Sequence, residues 1–157
     1  DYVSTPDAAS LDLASGVTLE AWIYLSDVTG YGMIVDKTTS GQPSNYFFGT
    51  VNDELTFGFY NGAWREHTTS AVNLVAAAWV HVAAVYSDSA NSVRLYVDGV
   101  ERLAATQTNS LATNTNQLRI GIGYPNEVFS GRIDEVRVYN RALTAAEISA
   151  DGGRPVP

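Results

Sequence analysis

Val17-Thr18-Leu19-Glu20-Ala21-Trp22-Ile23-Tyr24-Leu25 is the stretch on which the fold turns. Its odd positions are all apolar, and its even positions carry Thr, Glu, Trp and Tyr. A period of two marks a strand with one face in a core. The pattern recurs outward along the chain. Val80, Val82, Ala84 and Tyr86 alternate with Trp79, His81, Ala83 and Val85, and Val93, Leu95 and Val97 with Arg94, Tyr96 and Asp98. Ile120 and Ile122 alternate with Arg119, Gly121 and Gly123. In Ile133-Asp134-Glu135-Val136-Arg137-Val138-Tyr139, the period places Asp134 on the face of Val136 and Val138. Asn52-Asp53, Asn61-Gly62 and Asp98-Gly99 sit between such runs and suit tight hairpins, the last two as type I′ turns. Roughly ten to twelve short strands on tight turns predict an all-β fold, an antiparallel two-sheet sandwich.

One segment departs from this pattern. In Leu143-Thr144-Ala145-Ala146-Glu147-Ile148, Thr144 and Glu147 have capping-box spacing, with Leu143 and Ile148 placed as a hydrophobic staple. A short helical turn is expected near residues 144 to 149. The stretch 151–157, Asp-Gly-Gly-Arg-Pro-Val-Pro, has linker composition, so the domain is placed at 1–150. The chain reads as a module of a longer protein.

Composition narrows the function. The 157 residues carry 9 basic and 17 acidic side chains, a net charge of −8. That excludes the basic patch needed for nucleic acid and disfavours an anionic membrane surface. No apolar run reaches membrane-span length. Cys is absent, which removes disulfides and thiol chemistry and suits a bacterial protein working outside the cell. Lys37 is the sole lysine.

Asp1-Tyr2-Val3, Thr18–Ile23, Trp79–Ala83, Arg94–Gly99 and Gly131–Leu143 together resemble, in order and spacing, the laminin-G-like jelly rolls of the concanavalin A-like lectin/glucanase superfamily. The resemblance implies a jelly-roll sandwich and a secreted or cell-surface setting. For function it spans lectins, carbohydrate-binding modules, glucanases and lyases. It also implies a structural Ca²⁺, held by Asp134 with main-chain carbonyls of the N-terminal segment and Asp1 as a second ligand. The alternative for Asp134 is a carboxylate hydrogen-bonded to main-chain amides near a sheet edge.

Catalytic constellations are hard to find. Glu20 and Arg137 read as an ion pair between adjacent strands, against a catalytic pair of Glu20 with Glu135. The Glu-x-Asp-x-x-Glu spacing of the similar glucanases is absent. His81 reads as a packed, hydrogen-bonded core ring. No nucleophile elbow accompanies it, and no zinc spacing surrounds the two histidines.

Aromatic residues at turns are the better candidates. Trp64 follows Asn61-Gly62, Tyr31 sits in Gly30-Tyr31-Gly32, and Tyr124 follows a strand end. Such rings either stack on the flat face of a pyranose or cover a hairpin. Arg65, Glu66 and Asn126 are their nearest polar partners in sequence. The expectation is a non-catalytic, lectin-like module that binds a neutral glycan, with neighbouring domains of its own chain as further partners. The alternative is an adhesion or spacer domain that contacts protein.

Overall fold

The computed structural model describes residues 1–38 and 44–153. The residues 154–157 of the expected linker lie outside them. Strands β1 (Val3–Thr5), β2 (Gly16–Leu25), β3 (Tyr31–Asp36), β4 (Ser44–Val51), β5 (Glu54–Tyr60), β6 (Trp64–Thr68), β7 (Trp79–Ser87), β8 (Ser92–Val97), β9 (Val100–Thr106), β10 (Leu118–Ile120), β11 (Ile122–Gly123), β12 (Glu127–Val128) and β13 (Gly131–Tyr139) precede one helix, α1 (Ala145–Gly152). Six strands form one sheet in the order β1-β10-β3-β4-β5-β6, and five form a second in the order β13-β2-β7-β8-β9. β11 and β12 make a separate two-stranded ribbon. Every pairing is antiparallel. This is the all-β antiparallel two-sheet sandwich that the alternation predicts, and the jelly roll that the resemblance implies.

The core lies between the sheets. Val17, Leu19, Ala21, Ile23 and Leu25 are at most 1% exposed. They meet Phe48, Leu55, Phe57 and Phe59 from the facing sheet, with Tyr86 stacked on Phe57 and edge-on to Phe59. Each such side chain contributes about 1.5–3 kcal/mol through burial alone. The sole lysine is also interior. Lys37 Nζ donates to Asp7 (2.7 Å), Asp12 (3.1 Å) and both the main-chain (3.0 Å) and side-chain oxygen (2.9 Å) of Asn114. A buried ammonium is tolerable only with such partners, and this one ties the N-terminal segment to the loop before β10.

Two expectations are corrected here. First, Asp134 does not face the core. The β13–β2 register runs Asp134 opposite Trp22, then Arg137 opposite Glu20, so a β-bulge separates them. Glu135 takes φ +49° within it. The extra residue shifts the strand's phase, so Ile133 packs inward before the bulge and Val136 and Val138 pack inward after it. Asp134 is exposed, and its Oδ1 accepts the Glu135 N–H at 2.8 Å. Second, the expected linker does not begin at 151. Asp151 and Gly152 belong to α1, and Tyr139 donates its hydroxyl to Asp151 at 2.8 Å.

The helix starts as expected. Thr144 caps it, with the reciprocal Glu147 bonds of a capping box in place. Leu143 and Ile148 form a second small cluster with Ala83, Val85 and Tyr96 on the outer face of the five-stranded sheet. Thr18 Oγ1 donates to the Arg141 carbonyl (2.8 Å) and accepts from the Leu143 N–H (2.9 Å). The segment 141–152 therefore roofs β2 and β7. That is why Thr18 and Glu20, on the polar side of the alternation, are fully buried.

Candidate functional site: an aromatic cleft on the six-stranded sheet

Period two on β6 sends Trp64 and Glu66 to the outer face of the six-stranded sheet and turns Arg65 away from it. β3 and β4 supply Tyr31, Met33, Asp36 and Phe47 to that same outer face, and the β11–β12 ribbon rises beside it. The result is a cleft of about 310 Å³, with Tyr31, Trp64, Tyr124, Phe47, Glu66 and Glu127 on its walls and floor. That volume suits a short saccharide rather than a long polymer surface. Two glycines permit the shape. A Cβ at Gly58 would lie 2.5 Å from the Phe47 ring, so the floor needs glycine there. A Cβ at Gly123 would strike Met33 and approach Asp36 Oδ2 to 2.6 Å, so the ribbon seats against β3 only through that glycine.

Three rings are presented to solvent. Trp64 is 49% exposed, Tyr31 44% and Tyr124 37%. Trp64 is braced edge-on by Tyr60 (5.3 Å between centroids) and Phe47 (6.0 Å). The Tyr31 hydroxyl donates to Glu66 Oε1 at 3.2 Å, and Thr56 Oγ1 donates to the same oxygen at 3.0 Å. Tyr124 N–H donates to Asp36 Oδ2 at 2.7 Å, which also accepts from Arg119 at 3.3 Å. Burial pushes the Asp36 carboxyl above its ordinary value, against the pull of Thr38, Tyr124 and Arg119. Burial, followed by the charges of Asp36 and Glu66, likewise raises Glu127.

The structure thus brings Trp64, Tyr31, Tyr124 and Glu66 into one place. Arg65 and Asn126 do not join them. Arg65 Nε reaches Asn61 at 3.5 Å on the other side of β6, and Asn126 is exposed at the ribbon turn, where its carbonyl accepts from Val128 at 3.0 Å. Strand alternation already carried the signal against Arg65. Met33, Asp36, Phe47 and Glu127 are additions that only the sheet order β3-β4-β5-β6 reveals. Glu127 opens β12, three residues after Tyr124, but nothing local marks its direction.

The remaining candidates lie elsewhere. Glu20 and His81 sit beneath α1 on the five-stranded sheet, fully buried and 1% exposed. His81 Nε2 lies 4.0 Å from Glu20 Oε2, Arg137 Nη1 lies 3.9 Å from it, and the Trp22 ring packs against the imidazole at 5.6 Å. The hydrogen-bonded ring expected for His81 is not observed: neither imidazole nitrogen has a partner among the described residues. Burial, then the charge of Asp151 and contact with its carboxyl, pushes Glu20 up to about 8, opposed by Arg137. Glu135 is exposed and paired with Arg137 at 2.9 Å, so it does not face a common cleft with Glu20. Asp1 lines a shallow depression with Tyr2, Val3, Ile120, Phe129 and Ile133, and Asp134 does not. Among the described residues no three His, Asp or Glu side chains gather as a metal set. A calcium ion at Asp134 would have to complete its shell from main-chain oxygens and water.

Comparison with known proteins gives the class. The family model of the concanavalin A-like lectin/glucanases superfamily matches residues 1–149, and the chain belongs to that family. It is similar to the sushi, von Willebrand factor type A, EGF and pentraxin domain-containing protein 1 of Rattus norvegicus, 23% identical over 85% of this chain and 4% of that protein. The chain therefore spans only a few per cent of this relative's length. Among solved structures it resembles the CBM40 domain of the Ruminococcus gnavus IT-sialidase bound to α2,3-sialyllactose (TM-score 0.78, 15% identity, 93% of this chain and 87% of that one). It also resembles domain 4 of AbnA, an extracellular arabinanase of Geobacillus stearothermophilus in complex with arabinotriose (TM-score 0.75, 19% identity, 98% and 72%). At these identities the structural likeness speaks for the fold. No helix is long and apolar enough to cross a membrane among the described residues.

Proposed function

We propose that this domain is a non-catalytic, lectin-like carbohydrate-binding module of a larger secreted bacterial protein, and that the outer-face cleft holds its glycan. The observation that carries the reading is the convergence of Trp64, Tyr31 and Tyr124, three half-exposed rings from three separate segments, around Glu66. Sugar rings present C–H faces that stack on such rings, while their hydroxyls bond to carboxylates. Strands β3 and β6 carry Tyr31, Trp64 and Glu66, which limits the entropic cost of fixing them on binding. The cleft accepts neutral glycans and disfavours anionic ones, because uronates or sialic acids would meet the carboxylates of Asp36, Glu66 and Glu127. One such site gives weak affinity, in the ~mM to μM range. The likeness to domains solved with sialyllactose and arabinotriose supports sugar binding in general.

The burial of Glu20 and the separate position of Glu135 support a non-catalytic role. Structural calcium stays part of the proposal, with Asp134 as its side-chain ligand. A glycan array followed by isothermal titration tests the binding reading. Binding abolished by Trp64→Ala and unchanged by Arg65→Ala supports it. Absence of binding to any sugar removes it and leaves the adhesion or spacer role.

A further inference from the structure

We propose that the cleft prefers sugars bearing a free, protonated amine, such as glucosamine oligosaccharides; this rests on the carbohydrate-binding reading of the same cleft. Its lining decides the charge of the ligand. Asp36, Glu66 and Glu127 face the cavity, and among the described residues no Lys, Arg or His lines it. The nearest guanidinium, Arg119, holds Asp36 at 3.3 Å with its own side chain 18% exposed, and does not line the cavity. Three carboxylates against one paired guanidinium leave the cavity negative. Glu127 feels both Asp36 and Glu66, so the carboxylates act on one another within it.

The walls favour a cation as well. The negative faces of Trp64, Tyr31 and Tyr124 attract an ammonium held over them, and a sugar ring bearing an amine supplies both the stacking surface and the charge. The carboxylates then relieve their mutual repulsion by pairing with it. A bare metal ion is the poorer occupant, because no three carboxylates converge into a coordination set among the described residues. The net charge of −8 draws cationic oligomers towards the surface from a distance.

Isothermal titration with four β-linked tetramers of glucosamine, N-acetylglucosamine, glucose and galacturonic acid separates the possibilities. On the wild type, glucosamine binds about tenfold more tightly than its N-acetyl form, and galacturonic acid binds least. Added salt narrows that difference and leaves the neutral sugars unchanged. Glu127→Gln and Glu66→Gln, each checked for unchanged melting temperature, bring the affinities for the glucosamine and N-acetylglucosamine tetramers to parity, whatever they cost in neutral binding. Trp64→Ala weakens both. Equal or tighter binding of the neutral tetramers by the wild type, lost in Trp64→Ala, overturns the amine preference while the carbohydrate cleft stands. Failure of all four tetramers to bind overturns both.

Discussion

Replacing Glu20 by Gln probes a buried carboxyl whose protonation is linked to stability. Glu20 is fully buried beneath α1, faced by Arg137 on β13, His81 on β7, and Asp151 on the helix. No donor reaches either of its oxygens among the described residues, so the protonated carboxyl can itself donate to Asp151. Its pKa rises from 4.5 to about 8. Below 4.5 the folded and unfolded chains both hold this proton. Between 4.5 and 8 only the folded chain does, so stability falls as pH rises through that window. His81 works in the opposite direction, because burial lowers its pKa and stability then rises with pH up to its ordinary value of 6.5. The interval from 6.5 to 8 therefore isolates Glu20 from His81. Over that interval the loss is at most roughly 2 kcal/mol, at about 1.4 kcal/mol per pH unit. For a chain of this size that is about 4–8 °C in melting temperature. Gln keeps an N–H to offer Asp151 and cannot ionise. Differential scanning fluorimetry from pH 6.5 to 8 should show the wild type falling and Glu20→Gln flat. An identical slope in both proteins would falsify the assignment of a neutral Glu20.

Other perturbations follow from the same structure. Thr144→Ala removes the cap of α1 and should cost about 1 kcal/mol, read as a fall of about 2–4 °C; no change would mean that the helix is held by Leu143 and Ile148 alone. Gly58→Ala places a methyl against the Phe47 ring and the Arg65 carbonyl, so it should both destabilise and weaken glycan binding by disturbing the cleft floor, and titration at matched folded fraction separates the two effects. Calcium should raise the melting temperature of the wild type relative to EDTA and leave Asp134→Ala unmoved; no shift in the wild type removes the metal from the proposal.

What the sequence made legible was local. The alternation in 17–25, 79–86 and 93–97 located strands and their buried faces, because period two is a property of each strand alone. The capping box was legible for the same reason. Asp134 was misread because a bulge leaves no mark in the alternation: Asp-Glu-Val reads as an uninterrupted strand, and only pairing with β2 reveals the extra residue. The burial of Glu20 was invisible because its cover arrives from residues more than a hundred positions away. The cleft was half legible. Turn positions identified Tyr31, Trp64 and Tyr124 as exposed rings, whereas their convergence depends on β3, β4, β5 and β6 lying side by side and on the ribbon folding back over β3.

That ribbon separates two properties that most folds entangle. Its two strands belong to neither sheet, and its close seat against β3 requires the absence of a side chain at Gly123. The width of the cleft is therefore set outside the hydrophobic interior. Tyr124, Pro125 and Glu127 can be exchanged to retune what the wall recognises while Val17, Leu19, Phe48 and Phe57 go on holding the sandwich unchanged. The wall of the cleft and the core of the sandwich are thus built from separate residues, so a change in one need not pass through the other.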